Sequence, residues 1–259
     1  KAQDQPVMSP VEASVNWTVP PTGMTVAFAL KLATGGASTE IAVAARKWAQ
    51  LTPEATMRDP LSIEDVLASR MIASPLTLRD CCLVTDGGGA IVVVSAERAK
   101  RMKKPVYVLG GAEMVSHRSI AAMPDLTTTG AAITGPRAFT EAGLSPKEID
   151  VLQLYDAFTI MPLMFLEDLG FCQKGEGGAF VSGSAIAPGG RLAVNTNGGG
   201  LSFCHPGMYG IFTLIESVLQ LRGDLGARQV NGAQTALAHA PGGFMASHAT
   251  IILGNESTL

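Results

Sequence analysis

The stretch from Met208 to Leu221 limits what this chain can fold into more than any other. At helical spacing its apolar positions, Ile211, Phe212, Leu214, Ile215, Val218 and Leu219, cover most of the circumference of one helix. A helix that apolar belongs in a core and needs other elements around it. It is entered through Asn197-Gly198-Gly199-Gly200, Ser202 and His205-Pro206-Gly207, so a flexible glycine run and a histidine stand at the mouth of a buried helix.

The rest of the chain can supply that cover. It has 259 residues, of which 47% are apolar and 16% charged, enough for one large or two modest globular domains. A net charge of −3 with no run of like charges offers no footprint for a phosphate backbone, which argues against nucleic acid. Ile91–Val94 and the interrupted run Ala157–Leu166 fall well short of the roughly 20 residues of a membrane span. No export signal is visible from Lys1 onward, and the four cysteines include the neighbours Cys81 and Cys82, which would pair only through a strained ring. Reduced thiols in a cytoplasmic protein are expected.

Residues 1–80 read as short helical segments. The Pro20-Pro21-Thr22-Gly23 turn precedes a segment over Met24–Ala33, and Ser38–Leu51 places Ile41, Ala45, Trp48 and Ala49 on one face. Ser62-Ile63-Glu64-Asp65 has the form of a capping box. This region looks like an insertion or lid.

Asp86-Gly87-Gly88-Gly89 then runs into Ile91-Val92-Val93-Val94, a β-branched block that predicts a strand covered on both faces. A brief polar helix over Glu97–Lys104 and a second strand over Pro105–Leu109 follow. Ser145-Pro146-Lys147-Glu148 is another capping signature, with proline at the first helical position. Ile149–Leu154 is a strand that delivers Tyr155-Asp156-Ala157-Phe158 at its carboxyl end, where open α/β sheets place ligand contacts. An apolar helix over Ala157–Leu169 comes next. A glycine pair before a β-rich strand occurs at Gly88-Gly89 and again at Gly242-Gly243, a faint internal echo.

Four blocks, in order, resemble the thiolase superfamily, and within it the sterol-carrier-protein-X-like and bacterial lipid-transfer-protein-like branch. They are Asp80–Ala90, Tyr155–Phe158 with Glu167–Gly178, Asn195–Gly210, and Ala238–Gly243. The resemblance implies an α/β thiolase-like fold of mixed sheets layered with helices, plus a helical loop domain. It assigns residues 1–80 to the loop domain, 81–115 to the last strands of the N-terminal half, and 116–259 to the C-terminal half. The family's cysteine nucleophile belongs to a part of the first half that these residues do not match, so no residue here is given that role.

The resemblance also names a site. His205 matches the Gly-His-Pro histidine that activates the cysteine and lines an oxyanion hole, with Cys204 where the motif has glycine. A helix N-terminus disfavours imidazolium and leaves a neutral ring able to accept a proton. Tyr155 and Asp156 stand where many thiolases carry Asn-Glu; a phenol can itself donate a proton, and Asp156 is read with the substrate-binding groups. His239 occupies the position of the second catalytic cysteine and is expected to shuttle the α-proton, with Gly242 and Gly243 bringing backbone N–H groups to a thioester oxygen. Tyr209 is a further catalytic candidate from the first turn of its helix. His117 and His248 are read as structural, and Cys81, Cys82 and Cys172 as packing thiols. No metal-ligand spacing is present, and the glycine runs lack the Gly-Lys-Ser/Thr of a phosphate loop.

The implied function is an enzyme acting on acyl-CoA thioesters, either a thiolase-like acyltransferase or an aldolase that cleaves a β-hydroxyacyl-CoA of the steroid side-chain type. Coenzyme A enters as part of the substrate, with no separate cofactor. A homodimer and a small zinc-ribbon/OB-fold partner protein are implied as well. A noncatalytic thiolase-like subunit is the alternative that the departures at Tyr155, Cys204 and His239 keep open.

Overall fold

A computed structural model of the chain describes residues 36–259. The turn expected at 20–23 and the helical segment expected at 24–33 lie outside the described residues.

Helix α1 (Ala37–Gln50) buries Ile41, Ala45, Trp48 and Ala49, the face its spacing predicts, and the Trp48 indole N–H donates to the Ile186 carbonyl at 2.9 Å. Helix α2 (Ile63–Leu67) opens on the expected capping box: the Asp65 N–H donates to Ser62 Oγ and the Ser62 N–H donates back to Asp65 Oδ2. A small antiparallel pair, β1 (Met71–Ala73) and β2 (Leu76–Thr77), and a single turn of helix, α3 (Ala96–Ala99), follow. The remaining elements in order are β3 (Tyr107–Val115), α4 (Ala131–Ala142), β4 (Val151–Leu154), α5 (Ile160–Asp168), α6 (Gly177–Val181), β5 (Ala193–Val194), α7 (Gly199–Ser202), α8 (Gly210–Arg222), β6 (Thr235–Gly242) and β7 (Ser247–Gly254).

Five of the strands form one mixed sheet in the order β3-β7-β6-β4-β5, antiparallel from β3 to β6 and parallel from β6 to β5. Helices α4 and α5 cover one face and α8 the other. All four residues of β4 are buried, as befits a parallel strand covered on both sides. Leu152, Leu154, Leu237 and Ile252 are fully buried in the main core, each worth about 1.5–3 kcal/mol of apolar burial. Ser145 closes the expected capping box with Glu148, although the helix it caps is a single 3₁₀ turn.

Three elements differ from the sequence expectation. The block 91–94 forms no ladder, and Val92 and Val93 are 84% and 82% exposed. Its glycine lead-in lies across α8, where Gly89 approaches Ile211 and Ile215, and no described strand runs alongside to accept its backbone hydrogen bonds. β-branched composition states a preference for a sheet and cannot supply the neighbour. The strand expected at 105–109 is instead a nine-residue edge strand.

Helix α8 is the third. Its deepest residues are Thr213, Glu216, Ser217 and Gln220, while Ile211, Phe212, Leu214, Ile215, Val218 and Leu219 are only half-buried. The polar side chains are satisfied locally: Ser217 donates to the Thr213 carbonyl, Thr196 donates to Glu216, and Gln220 both donates to the Arg228 carbonyl and accepts from the Val230 N–H. The apolar flank is covered only in part, by Gly87 and Gly89 among others.

Gly110 sits beside the irregularity in the β3–β7 ladder, where a Cβ would run into the Ala138 carbonyl and the backbone of Ala142 in α4. Gly110→Ala is therefore expected to destabilise the protein by about 1–3 kcal/mol through overpacking, measured by urea unfolding.

Candidate active site

The carboxyl ends of β4 and β6 open into a largely apolar cavity of about 1090 Å³. Tyr155, Pro206 and Gly207 form one wall, Met161 and Met164 of α5 another, and Gly242, Gly243 and Met245 a third. The chain leaves the sheet at Tyr155, whose N–H donates to the His239 carbonyl at 3.0 Å while the Leu154 N–H is taken by Asn195 Oδ1 at 2.7 Å.

Three aromatic rings meet there. The Tyr155 ring stands edge-on to His205 (centroids 5.3 Å apart) and to Tyr209 (5.7 Å), and His205 lies parallel to Tyr209 at 6.1 Å. The Tyr155 hydroxyl donates to the Gly207 carbonyl at 3.3 Å. Residue 205 is clasped by Thr85: the His205 N–H donates to Thr85 Oγ1 at 2.9 Å and the Thr85 N–H returns to the His205 carbonyl at 3.4 Å. Its Nε2 is buried and has no hydrogen-bond partner among the described residues.

Burial sets the charge states. Desolvation lowers His205 below its ordinary 6.5, so the ring is neutral near pH 7. Desolvation also raises Tyr155 above its ordinary 10, against a lowering hydrogen bond from the Tyr209 backbone, so the phenol keeps its proton. Asp156 is fully buried beneath them. Desolvation pushes it up to about 7, opposed by the Gly200 and Leu201 N–H groups and the Asn195 side chain. Its Oδ1 accepts from Gly200 at 2.5 Å and its Oδ2 has no partner among the described residues. The glycine run is explained by this approach: a Cβ on Gly199, which has a left-handed backbone, would strike the Asp156 carboxylate, and one on Gly200 would strike the His205 ring and crowd Asp156.

Residues 112–255 match the family described as thiolase C-terminal domain-like. The chain belongs to this family. It is 38% identical over 212 residues to a benzoylsuccinyl-CoA thiolase subunit from Thauera aromatica, an alignment covering 78% of this chain and 54% of that protein. It is 38% identical over 226 residues to a 17-hydroxy-3-oxo-4-pregnene-20-carboxyl-CoA lyase from Mycobacterium tuberculosis, covering 83% and 56%. Among solved structures, an Ltp2–ChsH2(DUF35) aldolase superposes with a TM-score of 0.81 at 32% identity, covering 91% of this chain and 62% of that one. The chain spans about half the length of the curated relatives it matches.

Within this thiolase-like domain, Tyr155, His205 and Tyr209 come together and Gly242 and Gly243 line the cavity, whereas His239 does not join them. His239 is fully buried on the α4/α5 face, edge-on to Phe165 at 4.6 Å, with Nδ1 engaged by Thr250 and Nε2 by His248. Burial drives its pKa down to about 3. A ring so enclosed has no nitrogen free for a substrate α-proton. Asp156 likewise meets backbone and not the cavity, so the expected substrate contact is replaced by a grip on the Gly200 turn. Tyr209 is buried behind Tyr155 and donates to Asn197 Oδ1 at 3.0 Å. Burial raises Cys82 and Cys204 to about 11 and Cys172 to about 12, leaving all three as thiols near neutral pH.

Thr85, Asn195 and Asn197 were not singled out by sequence reasoning. The two asparagines lie just before the glycine run, and Thr85 precedes Asp86-Gly87, so their blocks were visible but their partners were not. No helix among the described residues is long and apolar enough to cross a membrane.

The folded chain holds a proton on Asp156 up to about pH 7, whereas the unfolded chain releases it near 3.8. Folded wild type thus binds more protons between those values, and its stability falls as pH rises through that window. Asp156→Asn keeps an acceptor for Gly200 and removes the titration. Urea unfolding of both proteins across the series should show the wild type losing stability relative to the variant as pH rises, then a constant gap above about 7.

Proposed function

We propose that this chain supplies the Tyr/His half of a thiolase-superfamily active site that makes or breaks a carbon–carbon bond beside an acyl-CoA thioester. The observation that carries the reading is the pairing of a protonated phenol at the wall of a large apolar cavity with a neutral imidazole directly behind it, ring centroids 5.3 Å apart. The similarity to a thiolase subunit, a CoA-ester lyase and an aldolase supports the same chemistry.

Of the two reactions, retro-aldol cleavage of a β-hydroxyacyl thioester uses the groups present here. His205 Nε2 takes the proton of the β-hydroxyl; the Cα–Cβ bond breaks, the β-carbon becomes a carbonyl, and the electron pair passes into the thioester as an enolate. Tyr155 O–H and the Gly243 backbone donate to the developing oxyanion, and the enolate is then protonated at Cα by the proton that His205 took up, which returns the imidazole to its neutral form. Acyl transfer remains the second reading, because one relative is a thiolase subunit; it requires a cysteine nucleophile from outside these residues. The cavity's apolar lining suits a bulky hydrocarbon acyl group such as a steroid side chain. The same reading extends to a cytoplasmic homodimer with a small zinc-ribbon/OB-fold partner and no cofactor beyond the substrate's coenzyme A. The DUF35 partner named with the aldolase neighbour supports the partner protein.

Paired β-hydroxyacyl and β-ketoacyl thioesters, with products followed by mass, distinguish cleavage from thiolysis. Tyr155→Phe and His205→Ala in the full-length protein are expected to lower kcat/KM by about 10²–10⁴-fold. Unchanged turnover in both rejects the site, and thioester binding without turnover of either substrate points to a noncatalytic subunit. The pH profile of kcat/KM should be a broad plateau, with its acid limb below 6.5 and its alkaline limb above 10.

A further inference from the structure

The third wall of the cavity is the turn joining β6 to β7, and its backbone is strained. Phe244 and Met245 both hold left-handed conformations, φ 58° and 64°, which cost non-glycine residues of order 1–3 kcal/mol each. Phe244 is 81% exposed, so burial of its side chain does not hold the turn. A buried chain of hydrogen bonds does, and it crosses the sheet from α4.

The donor directions follow from one fact, that a backbone carbonyl only accepts. His248 Nε2 lies 3.1 Å from the Met245 carbonyl and therefore carries the proton. In a neutral ring its Nδ1 is then bare, and it accepts from His239 Nε2–H at 3.2 Å. His239 Nδ1 is in turn the acceptor for the Thr250 hydroxyl at 2.8 Å. With its own proton given to His239, Thr250 Oγ1 accepts from Thr134 at 2.7 Å, and the one Thr134 hydroxyl proton is shared between Thr250 and the Gly130 carbonyl at 3.2 Å. Every bond points the same way, Thr134 to Thr250 to His239 to His248 to Met245, and all four side chains are buried. Reversing any link would break the set.

We infer that His248, with His239 behind it, is a positioning residue: it pins the Met245 carbonyl and thereby holds the Gly242–Ala246 turn in the shape that presents Gly243 and Met245 to the substrate. The inference deepens the acyl-CoA reading and relies on it only for the reaction that reports the effect. Ala246 reinforces the turn, its N–H donating to the Gly242 carbonyl at 3.0 Å and its carbonyl accepting from the Ser116 N–H at 2.8 Å.

His248→Leu removes the donor at similar bulk, and His248→Gln returns an amide N–H toward the Met245 carbonyl. In the full-length protein the leucine variant is expected to raise KM for the thioester on the order of tenfold with a smaller loss in kcat, and glutamine to recover most of it. Hydrogen exchange should quicken at the 243–246 amides in the leucine variant only, while the β4 amides stay protected. If leucine unfolds the protein, ring ¹⁵N NMR of the wild type decides: both His239 and His248 must appear as Nε2–H tautomers. A His248 Nδ1–H tautomer, or turn exchange unchanged by leucine, overturns the proposal. Quickened turn exchange in a protein that turns over no thioester upholds the positioning role and refutes the acyl-CoA reading instead.

Discussion

The approach of the Asp156 carboxylate to the backbone of Gly199 and Gly200 is the contact on which the cavity depends. It joins the end of a buried parallel strand to the first turn of α7, and α7 leads directly to His205. Gly198 makes the complementary approach to Ala45 and Ala49 of α1, so the same three glycines seat the turn between a strand and a helix. A side chain at Gly200 would strike the His205 ring, one at Gly199 the Asp156 carboxylate, and one at Gly198 the backbone of α1. The carboxylate is costly to keep there, since one oxygen has no partner among the described residues and burial disfavours its charge. That cost is the physical signature of a group retained for what it positions.

Helix α8 has its polarity distributed in the opposite sense to an ordinary surface helix. Its most deeply buried residues are hydroxyls, a carboxylate and an amide, and each finds its partner within the domain. Leu221 is buried and, with the half-buried Leu214 and Val218, packs on Val151, Ala236 and Leu253 of the sheet, while Ile211, Ile215 and Leu219 are half-buried. Such a helix gains less than its composition suggests from hydrophobic burial within these residues and more from a closed hydrogen-bond network with Thr196, Arg228 and Gln229. Its N-terminal end, where Tyr209 and Gly210 pack against Tyr155 and Ala240, is the part that shapes the cavity.

Much of this was legible in the sequence wherever the determinant was local. The caps at Ser62 and Ser145, the buried face of α1 and the strand delivering Tyr155 follow from spacing over a few residues, and the structure has them. The block at 91–94 was not legible, because whether a β-branched run becomes a strand depends on a neighbour that no local pattern encodes. The same holds for α8, where periodicity counts apolar residues without saying that Thr213, Glu216, Ser217 and Gln220 are the ones buried deepest. Thr85 escaped notice for a related reason: its role is a reciprocal backbone clasp with a residue far along the chain.

The histidines separate for a reason that is geometric and simple. In the parallel ladder His239 stands beside Leu154, so the two share a face of the sheet, and Tyr155, the next residue, must turn to the other. In the antiparallel ladder His239 stands opposite Thr250, and His248, two residues before it, shares that same face. Register thus commits His239 and His248 to the α4/α5 side before any chemistry is considered, and it commits Tyr155 to the side where His205 arrives on its loop. Motif position alone placed Tyr155, His205 and His239 in one cleft. Alternation along β4 and β6 instead turns Tyr155 to the cavity, with His205 behind it, and keeps His239 beside His248 behind the cavity's third wall.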